Sequence, residues 1–389
     1  MTKVADMKTL DDKEAIFRLD KSGLFKDEFD FSRNLRKAVK NIKAFALPEH
    51  VKVGQRIIHY RDVENVVLAG MGGSAIAGDI LKDWIGNEIE VPIETVRGYH
   101  LPAYLNEKSL VFFISYSGDT EETLSCMLDA ARKGCQIIAI SSNGSLGRAA
   151  KALELPLIGL PEMAAARVSL PYLFAPLPYL LAQLQVLSVE KVEREMGDAI
   201  DTVDKLAEEL AVEVTIERNL AKKVALEIFG TIPVVYCYNP YKSVGLRFKC
   251  QVNENCKLPA RFDVFPELNH NEIMGWEASS SVLKRYTLVL LRDLEIEPLE
   301  VKTRIEALKV KFFSKQARSV IELKPQGKTS LSRLFSLIFL LDVVSMYLAV
   351  LYRRDPVASE TFRILKYEAT ERLGTLQKLE KQILHLSSV

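Results

Sequence analysis

The chain has 389 residues, of which 48% are hydrophobic and 26% are charged, and its formal net charge is +1 at pH 7. This composition is typical of a folded globular protein. It argues against disorder and against a general nucleic-acid binder, which would carry a strong basic surface. The length predicts two domains, because a single hydrophobic core rarely grows this large.

The N-terminal sequence and the cysteines both predict a cytoplasmic protein. The segment MTKVADMKTLDDKEAIF mixes acidic and basic residues and lacks the apolar centre of a secretory signal. The cysteines are odd in number and form no CxxC pair: Cys126, Cys135, Cys237, Cys250 and Cys256. We therefore expect reduced thiols, with neither a disulfide framework nor a metal site.

Short apolar runs alternate with helical patterns along the chain. The first half has such runs at Asn65–Gly70, 91–96, 110–115 and 137–140. The second half has them at Ile232–Tyr238, Tyr286–Leu291 and Ser319–Leu323. This alternation predicts an α/β fold, with parallel sheets covered by helices on both faces.

We predict a helical segment at residues 1–48, a first domain at 49–210 and a second domain with C-terminal helices at 211–389. The apolar run 334–352 is long enough to span a bilayer. However, Asp342 lies at its centre, where a charge is costly in lipid. We therefore predict that this run is a buried core helix.

The first candidate site is the glycine-rich turn Gly72-Gly73-Ser74, between a predicted strand and a predicted helix. Glycines let main-chain N–H groups approach an anion, the helix N-terminus adds a positive dipole, and the serine hydroxyl adds a donor. A tight turn with a serine cap would have the same sequence. So would a dinucleotide fingerprint G-x-G-x-x-A starting at Gly70, with Glu94 as the ribose ligand.

The second candidate site is the loop SYSGDT at 115–120, after the third predicted strand. The hydroxyls of Ser115, Ser117 and Thr120 form a neutral cradle that suits a phosphate monoester, and a dinucleotide site does not need it. Two hydroxyl-rich loops from neighbouring strands therefore predict a small phosphorylated ligand.

Two residues in the second half could transfer protons. Glu254 follows Arg247 by seven residues on a predicted helix, so we expect both on one face; an exposed helix-end acid is its ordinary role. His270 lies among polar, turn-forming residues, and its pKa suits proton transfer, although a structural histidine would have the same sequence context.

Five motifs in order resemble the bifunctional phosphoglucose/phosphomannose isomerase family of sugar isomerase (SIS) domain proteins: MGGSAIAGD, SYSGDTEET, RFKCQVNENCK, PELNHNEIMGW and DVVSMYLAVLYRRDP. The resemblance implies an α/β fold of two SIS domains, each with a parallel five-stranded sheet flanked by helices. It also implies a homodimer with a shared active site.

The resemblance implies a role for each candidate residue. The sugar phosphate would be bound by Gly73, Ser74, Ser115, Ser117 and Thr120. Four residues would act in catalysis: Glu254 as the base between C1 and C2, His270 from the neighbouring subunit and Lys366 in ring opening, and Arg167 in stabilising the enediolate. The sequence departs from the family pattern in having Ala166 for a proline and Asp119 for an asparagine.

The implied reaction interconverts glucose 6-phosphate, and also mannose 6-phosphate, with fructose 6-phosphate through an enediol. It uses no metal and no organic cofactor, and the expected partners are the hexose 6-phosphate and a second copy of the chain, without nucleic acid or membrane. One alternative is a non-catalytic SIS regulator that binds a sugar phosphate. Another is an NAD-dependent dehydrogenase.

Overall fold

The computed structural model describes residues 8–368 and 372–386, without the side chain of Lys366. The chain divides into two compact units. Unit A consists of Arg33–Arg194 and the chain from Ser359 onward, and unit B consists of the chain up to Ser32 and Glu195–Ala358. The change from unit A to unit B after Arg194 falls inside the long helix Val189–Leu210.

The strands of unit A are β1 (His50–Val53), β2 (Arg56–His59), β3 (Asn65–Gly70), β4 (Ile93–Val96), β5 (Ser109–Ser115), β6 (Gln136–Ser141) and β7 (Leu157–Gly159). β1 and β2 form an antiparallel hairpin. The other five form the parallel sheet that the sequence predicts. Their order in this sheet is β4-β3-β5-β6-β7. Because helices cover both faces of this sheet, β3, β5 and β6 are buried along their whole length.

Unit A contains helices Phe31–Lys43, Gly72–Ile85, Glu121–Lys133, Gly144–Ala152, Leu170–Phe174, Pro176–Gln183, Glu360–Lys366 and Thr375–His385, with a 3₁₀ turn at Ala166–Ser169. Phe31–Lys43 begins in unit B and continues into unit A, which starts at Arg33. The C-terminal helix Thr375–His385 packs against Glu121–Lys133 and Gly144–Ala152.

The strands of unit B are β8 (Ile232–Tyr238), β9 (Arg261–Phe265), β10 (Tyr286–Leu291) and β11 (Ser319–Leu323). They form a parallel sheet in the order β9-β8-β10-β11, which repeats the order β4-β3-β5-β6 of unit A. The α/β class is therefore confirmed. The expectation of five strands holds for unit A, whereas the described residues of unit B form four.

The helices of unit B are Lys13–Leu19, Leu24–Phe29, Leu220–Ile228, Lys242–Gln251, Ser280–Leu283, Leu299–Leu308, Ser314–Gln316 and Ser330–Leu351. Two 3₁₀ segments, Glu267–His270 and Glu272–Glu277, follow β9, and two π-helical turns lie at Val252–Cys256 and Lys309–Phe313. A π turn is rare in proteins and is often found at a functional site.

Ser330–Leu351 is long and apolar enough to cross a membrane, and among the described helices it alone passes that test. Its most apolar stretch is entirely buried, and within unit B it packs against Leu220–Ile228 and Lys242–Gln251. The ring of Phe25 packs on Tyr347 of this helix, with the centroids 5.7 Å apart. The predicted core helix is thus confirmed.

An ion pair with Arg247 stabilises the charge of Asp342 at the centre of this buried helix. Asp342 is 1% exposed and Arg247 is 3% exposed. Their contact is bidentate, with Oδ2 of Asp342 2.6 Å from Nη2 and 2.9 Å from Nε of Arg247. Burial opposes the charge on Arg247, but the Asp342 carboxylate keeps the pKa of the guanidinium above its ordinary value. The Arg247 guanidinium therefore stays charged inside the core.

We predict that Asp342→Ala lowers the free energy of unfolding by about 3–5 kcal/mol, because it removes the carboxylate that pairs with the buried Arg247 charge. The control is Lys13→Ala, which removes a contact between Lys13 and Glu213, whose side chains are 55% and 60% exposed. That change should cost about 1 kcal/mol or less. Urea unfolding of both variants measures the difference, and equal losses would contradict the prediction.

Candidate functional site

Four loops of unit A leave the sheet at the edge formed by the carboxyl ends of its strands. We name them loop 1 (71–74, after β3), loop 2 (116–120, after β5), loop 3 (142–144, after β6) and loop 4 (160–166, after β7). In the sheet, Gly70 of β3 pairs with Ile114 of β5, and Ser115 of β5 pairs with Ser141 of β6. The carboxyl ends of β3, β5 and β6 are therefore level with one another. Ligands of open parallel sheets bind at this edge.

Loop 1 touches the turn that carries Arg167. A Cβ atom at Gly73 would lie 3.3 Å from Cα of Arg167, so glycine permits this approach. Ser74, 6% exposed, is in the first turn of helix Gly72–Ile85, and its Oγ accepts a hydrogen bond from the Tyr116 N–H at 3.3 Å. Loop 1 is therefore in contact with both loop 2 and the Arg167 turn.

The dinucleotide interpretation of loop 1 required Glu94 as a ribose ligand. In the structure, the Glu94 carboxylate accepts a hydrogen bond from the Tyr104 hydroxyl at 2.7 Å. Burial and this carboxylate together raise the pKa of Tyr104 to about 12. Glu94 is thus already engaged by a neighbouring side chain.

The hydroxyls of loop 2 and of Ser115, the residue before it, are arranged to donate hydrogen bonds. Ser115 Oγ accepts from the Gly118 N–H at 3.0 Å, and Ser117 Oγ accepts from the Asp119 N–H at 3.2 Å. Since each oxygen serves the main chain as an acceptor, its proton can be donated to an anion. Thr120 Oγ1 is 2.8 Å from Ser115 Oγ, so one of this pair donates to the other.

Loops 2 and 3 pack main chain against main chain. Gly118 has φ +77°, and a Cβ there would lie 1.8 Å from the Asn143 carbonyl oxygen. Gly144 has φ +71°, and a Cβ there would lie 2.4 Å from the Ser117 carbonyl oxygen. The Leu146 N–H donates to the Gly118 carbonyl at 2.9 Å. Both positions therefore require glycine.

The carboxylate of Asp119 accepts a hydrogen bond from the start of the next helix. Its Oδ1 accepts from the Ser145 N–H at 2.8 Å, at the start of helix Gly144–Ala152, where a carboxylate is stabilised by the helix dipole. Arg148 of that helix donates to Ser145 Oγ at 2.8 Å and to Glu380 of the C-terminal helix at 2.6 Å. Asp119 thus caps a helix, and Glu380 links the C-terminal helix to that same helix start.

Glu254 is in the π turn Val252–Cys256, which continues the helix Lys242–Gln251 of unit B. Its side chain is exposed, whereas its neighbour Asn255 is buried and donates to Ser345 Oγ at 2.8 Å. Buried neighbours fix the turn while the carboxylate faces outward.

Arg247 and Glu254, which the sequence predicts to share one helix face, differ in burial, because Arg247 is buried and Glu254 is exposed. The π turn adds residues per turn after Val252, so a spacing of seven no longer corresponds to two turns. Lys257 then ends the turn with φ +56° and donates to the carbonyl of Glu254 at 2.8 Å.

His270 is exposed at the end of the 3₁₀ segment Glu267–His270 in unit B. The following segment is held by a short polar chain: Trp276 Nε1 donates to the Tyr236 hydroxyl at 2.9 Å, which donates to Glu272 at 2.8 Å. Lys366 ends the helix Glu360–Lys366, and its side chain lies outside the described part of the chain.

The structure brings together the predicted residues of unit A, namely Gly73, Ser74, Ser115, Ser117, Thr120 and Arg167. Glu254 and His270 belong to unit B. The roles assigned to all of them stay predictions. Tyr116 is a site residue that sequence reasoning did not select. Its signal is an aromatic hydroxyl placed between two serines of a polar loop.

The carboxyl edge of unit B differs in charge from that of unit A. After β10, Arg292 is 1% exposed and donates to Glu297 at 2.8 Å and to Glu306 at 2.9 Å. Asp293, also buried, accepts from Arg333 Nε at 2.8 Å. These ion pairs occupy the position where unit A has its hydroxyl-rich loop 2. No group of three or more His, Cys, Asp or Glu among the described residues is placed to hold a metal ion.

Two domain families match this chain. The SIS domain matches residues 59–170, and the bacterial phospho-glucose isomerase C-terminal SIS domain matches residues 217–368. A solved structure, a glucose-6-phosphate isomerase like protein from Thermus thermophilus, covers 90% of this chain and 98% of its own at a TM-score of 0.56. At 16% identity this likeness shows the fold alone.

Relatives of known name are closer in sequence. A bifunctional phosphoglucose/phosphomannose isomerase of Caldicellulosiruptor bescii is 36% identical over 85% of this chain and 95% of its own length. One from Aquifex aeolicus is 36% identical over 78% of this chain and 90% of its own. A D-glucosamine-6-phosphate 4-epimerase of Sulfolobus acidocaldarius is 33% identical over 55% of this chain and 64% of its own.

We predict that Gly118→Ala weakens the binding of inorganic phosphate at least about tenfold, since the added Cβ would collide with loop 3 and displace donors to a charged group. Gly98→Ala is the control, because nothing lies within 4 Å of its added Cβ. Titration calorimetry measures the affinity, and circular dichroism checks that both variants are folded. Equal affinities would show that loop 2 does not hold phosphate.

Proposed function

Since this chain belongs to the bifunctional phosphoglucose/phosphomannose isomerase family, we propose that it interconverts glucose 6-phosphate and mannose 6-phosphate with fructose 6-phosphate. The observation that carries the proposal is the cradle of loops 1 and 2 in unit A, with the strand-end Ser115. Its serine oxygens accept from the main chain, and the hydroxyls of Ser74, Ser117 and one member of the Ser115–Thr120 pair can donate hydrogen bonds to a phosphate monoester.

The phosphate holds the substrate at a point remote from the reacting carbons, so its binding energy can serve to position C1 and C2. The Glu254 carboxylate removes the C2 proton of the open-chain aldose, and O1 gains a proton to give the enediol. Glu254, now a carboxylic acid, then returns that proton to C1, and the O2 hydroxyl releases a proton that balances the one O1 gained, so that C2 becomes the ketone carbon. The Arg167 cation stabilises the negative charge that develops on oxygen.

Ring opening precedes this step. It requires a proton donor at the ring oxygen and a base at the O1 hydroxyl, and His270 and Lys366 are assigned to this work. The exposure of His270 and of Glu254 suits groups that must meet a substrate.

A single site can serve both epimers. Glucose and mannose 6-phosphates give the same enediol, but their C2 protons start on opposite sides of the carbon. One base reaches both if the C1–C2 fragment turns about the C2–C3 bond while the phosphate stays bound. The kcat/KM values for the two epimers should then agree within about tenfold, a difference of about 1.4 kcal/mol in transition-state binding.

The test is incubation with fructose 6-phosphate without NAD, followed by separation of the hexose phosphates. We expect both glucose and mannose 6-phosphates to form. Glu254→Gln should lower both rates by about 10²–10⁴-fold, because it removes the base and keeps the shape, with phosphate affinity unchanged. The control is Glu208→Gln, which alters an exposed acid of unit B.

Each contrary result identifies another function. Binding without conversion would indicate a sugar-phosphate sensor. An absorbance change in a parallel sample that contains NAD, without a coupling enzyme, would indicate a dehydrogenase. Conversion of glucosamine 6-phosphate alone would match the name of the Sulfolobus relative. Conversion that survives Glu254→Gln would remove this residue from the mechanism.

We also propose that the active protein is a homodimer in the cytoplasm. Support comes from the helix Glu360–Lys366 and the residue after it, where Phe362, Ile364, Leu365 and Tyr367 are 54–68% exposed. So many exposed apolar side chains in one short segment are typical of a surface that a protein partner covers. A second copy of the chain is the partner that the family assignment favours.

We predict that Leu365→Glu converts the dimer to a monomer in sedimentation velocity, since it buries a charge in the interface. The control is Ile57→Glu, which places the same charge at a 58% exposed position of the hairpin. A wild-type chain that sediments as a monomer would contradict the proposal.

A mixing experiment tests whether the site is shared. If His270 serves the neighbouring subunit, random hybrids of Glu254→Gln and His270→Ala chains contain one intact site. Mixed and re-equilibrated samples of the two variants should therefore regain about a quarter of the wild-type activity. No gain over the separate variants would mean that each subunit has its own complete site.

A further inference from the structure

Tyr116 of loop 2 is hydrogen bonded to each of the other three loops at the carboxyl edge of unit A. Its N–H donates to Ser74 Oγ of loop 1 at 3.3 Å. Its carbonyl accepts from the N–H and the hydroxyl of Ser142 in loop 3, at 3.1 and 2.5 Å. Its phenol contacts the main chain of Met163 in loop 4. One residue therefore joins all four loops.

The phenol contact is made in both directions. The Met163 N–H donates to the Tyr116 hydroxyl at 2.6 Å, and the hydroxyl donates to the Met163 carbonyl at 3.0 Å. A phenol has one proton, and here that proton is used by the main chain. The hydroxyl therefore acts on the position of loop 4 and not as an acid on a substrate.

Loop 4 leads directly into the turn that carries Arg167. Met163 is four residues before Arg167, which is 9% exposed in the 3₁₀ turn Ala166–Ser169. The main chain of Arg167 also packs on Gly73 of loop 1. The position of Arg167 is thus restrained by loop 1, which packs on its main chain, and by loop 4, which precedes it in the sequence.

We propose that Tyr116 is a positioning residue that couples the phosphate-binding loops to Arg167. The inference rests on the proposed function for the role of Arg167 in catalysis. Because loop 2 offers a hydroxyl to the phosphate and holds loop 4 through the phenol, a phosphate group bound to loop 2 also restrains the turn that carries Arg167. Loss of the phenol separates these two events: phosphate still binds, and Arg167 is less well placed.

Tyr116→Phe tests this coupling with little disturbance. The bonds to Ser74 and Ser142 come from the main chain of residue 116 and survive the change. We expect kcat to fall about 10- to 100-fold, since a displacement of about 1 Å in a site can have that effect. KM and the dissociation constant of inorganic phosphate should stay within about twofold.

Tyr60→Phe is the matched control. Its buried hydroxyl donates to a main-chain carbonyl of the same sheet, that of Ile137, at 2.6 Å. This variant should keep the wild-type kcat, although it loses a hydrogen bond of the same kind. A fall in kcat for Tyr60→Phe as large as that for Tyr116→Phe, or a rise in KM without a fall in kcat for Tyr116→Phe, would overturn the proposal.

A double variant identifies the residue through which Tyr116 acts. In an Arg167→Lys background, Tyr116→Phe should change kcat by less than about twofold, because residues that act as a unit have non-additive effects. Full multiplication of the two single effects would overturn the proposal.

A second measurement does not depend on isomerase activity. Hydrogen exchange is followed in peptides from loops 2 and 4, with and without inorganic phosphate. We expect phosphate to slow exchange in both loops of the wild type, but only in loop 2 of Tyr116→Phe. Equal protection of loop 4 in both proteins, or none in the wild type, would overturn the coupling even if the proposed reaction were absent.

Discussion

Contact between the main chains of loops 2 and 3 is the constraint on which the proposed phosphate site depends. Gly118 and Gly144 face each other's loops so closely that a side chain at either position would collide with a carbonyl group. This contact determines the path of loop 2, and that path directs the hydroxyls of Ser115 and Ser117 and the phenol of Tyr116. The site is thus built from main-chain geometry and neutral donors, with the charge of Asp119 used to cap a helix.

In unit B, side-chain contacts with the long apolar helix fix the segment that carries Glu254. This helix contributes Asp342, which pairs with Arg247 in the core, and Ser345, which accepts a hydrogen bond from Asn255. These contacts hold the two ends of the segment that carries Glu254, while its carboxylate remains exposed. A buried ion pair contributes little net stability relative to an apolar pair, so we assign it to orienting this segment.

Much of the fold could be predicted because buried parallel strands are continuous apolar runs. Ile232–Tyr238 and Tyr286–Leu291 have the predicted bounds. β9 escaped prediction because two of the five residues in its sequence, RFDVF, are charged and the strand is only partly buried. The phosphate loops were visible through local glycines and hydroxyls. The bond between Tyr116 and Met163 was not, because it joins residues 47 apart that meet only at the sheet edge.

The ion pairs at the carboxyl edge of unit B also bear on cooperativity. The two sheets share a strand order, yet within the described chain only unit A offers a neutral cradle, since Arg292 and Asp293 of unit B are charged and held in ion pairs. Under the proposed function the cradle of unit A is the phosphate site of the described chain, so a single polypeptide should bind one phosphate group with a hyperbolic saturation curve. A sigmoidal curve, if measured, must arise from coupling between subunits and not from the duplicated scaffold within one chain.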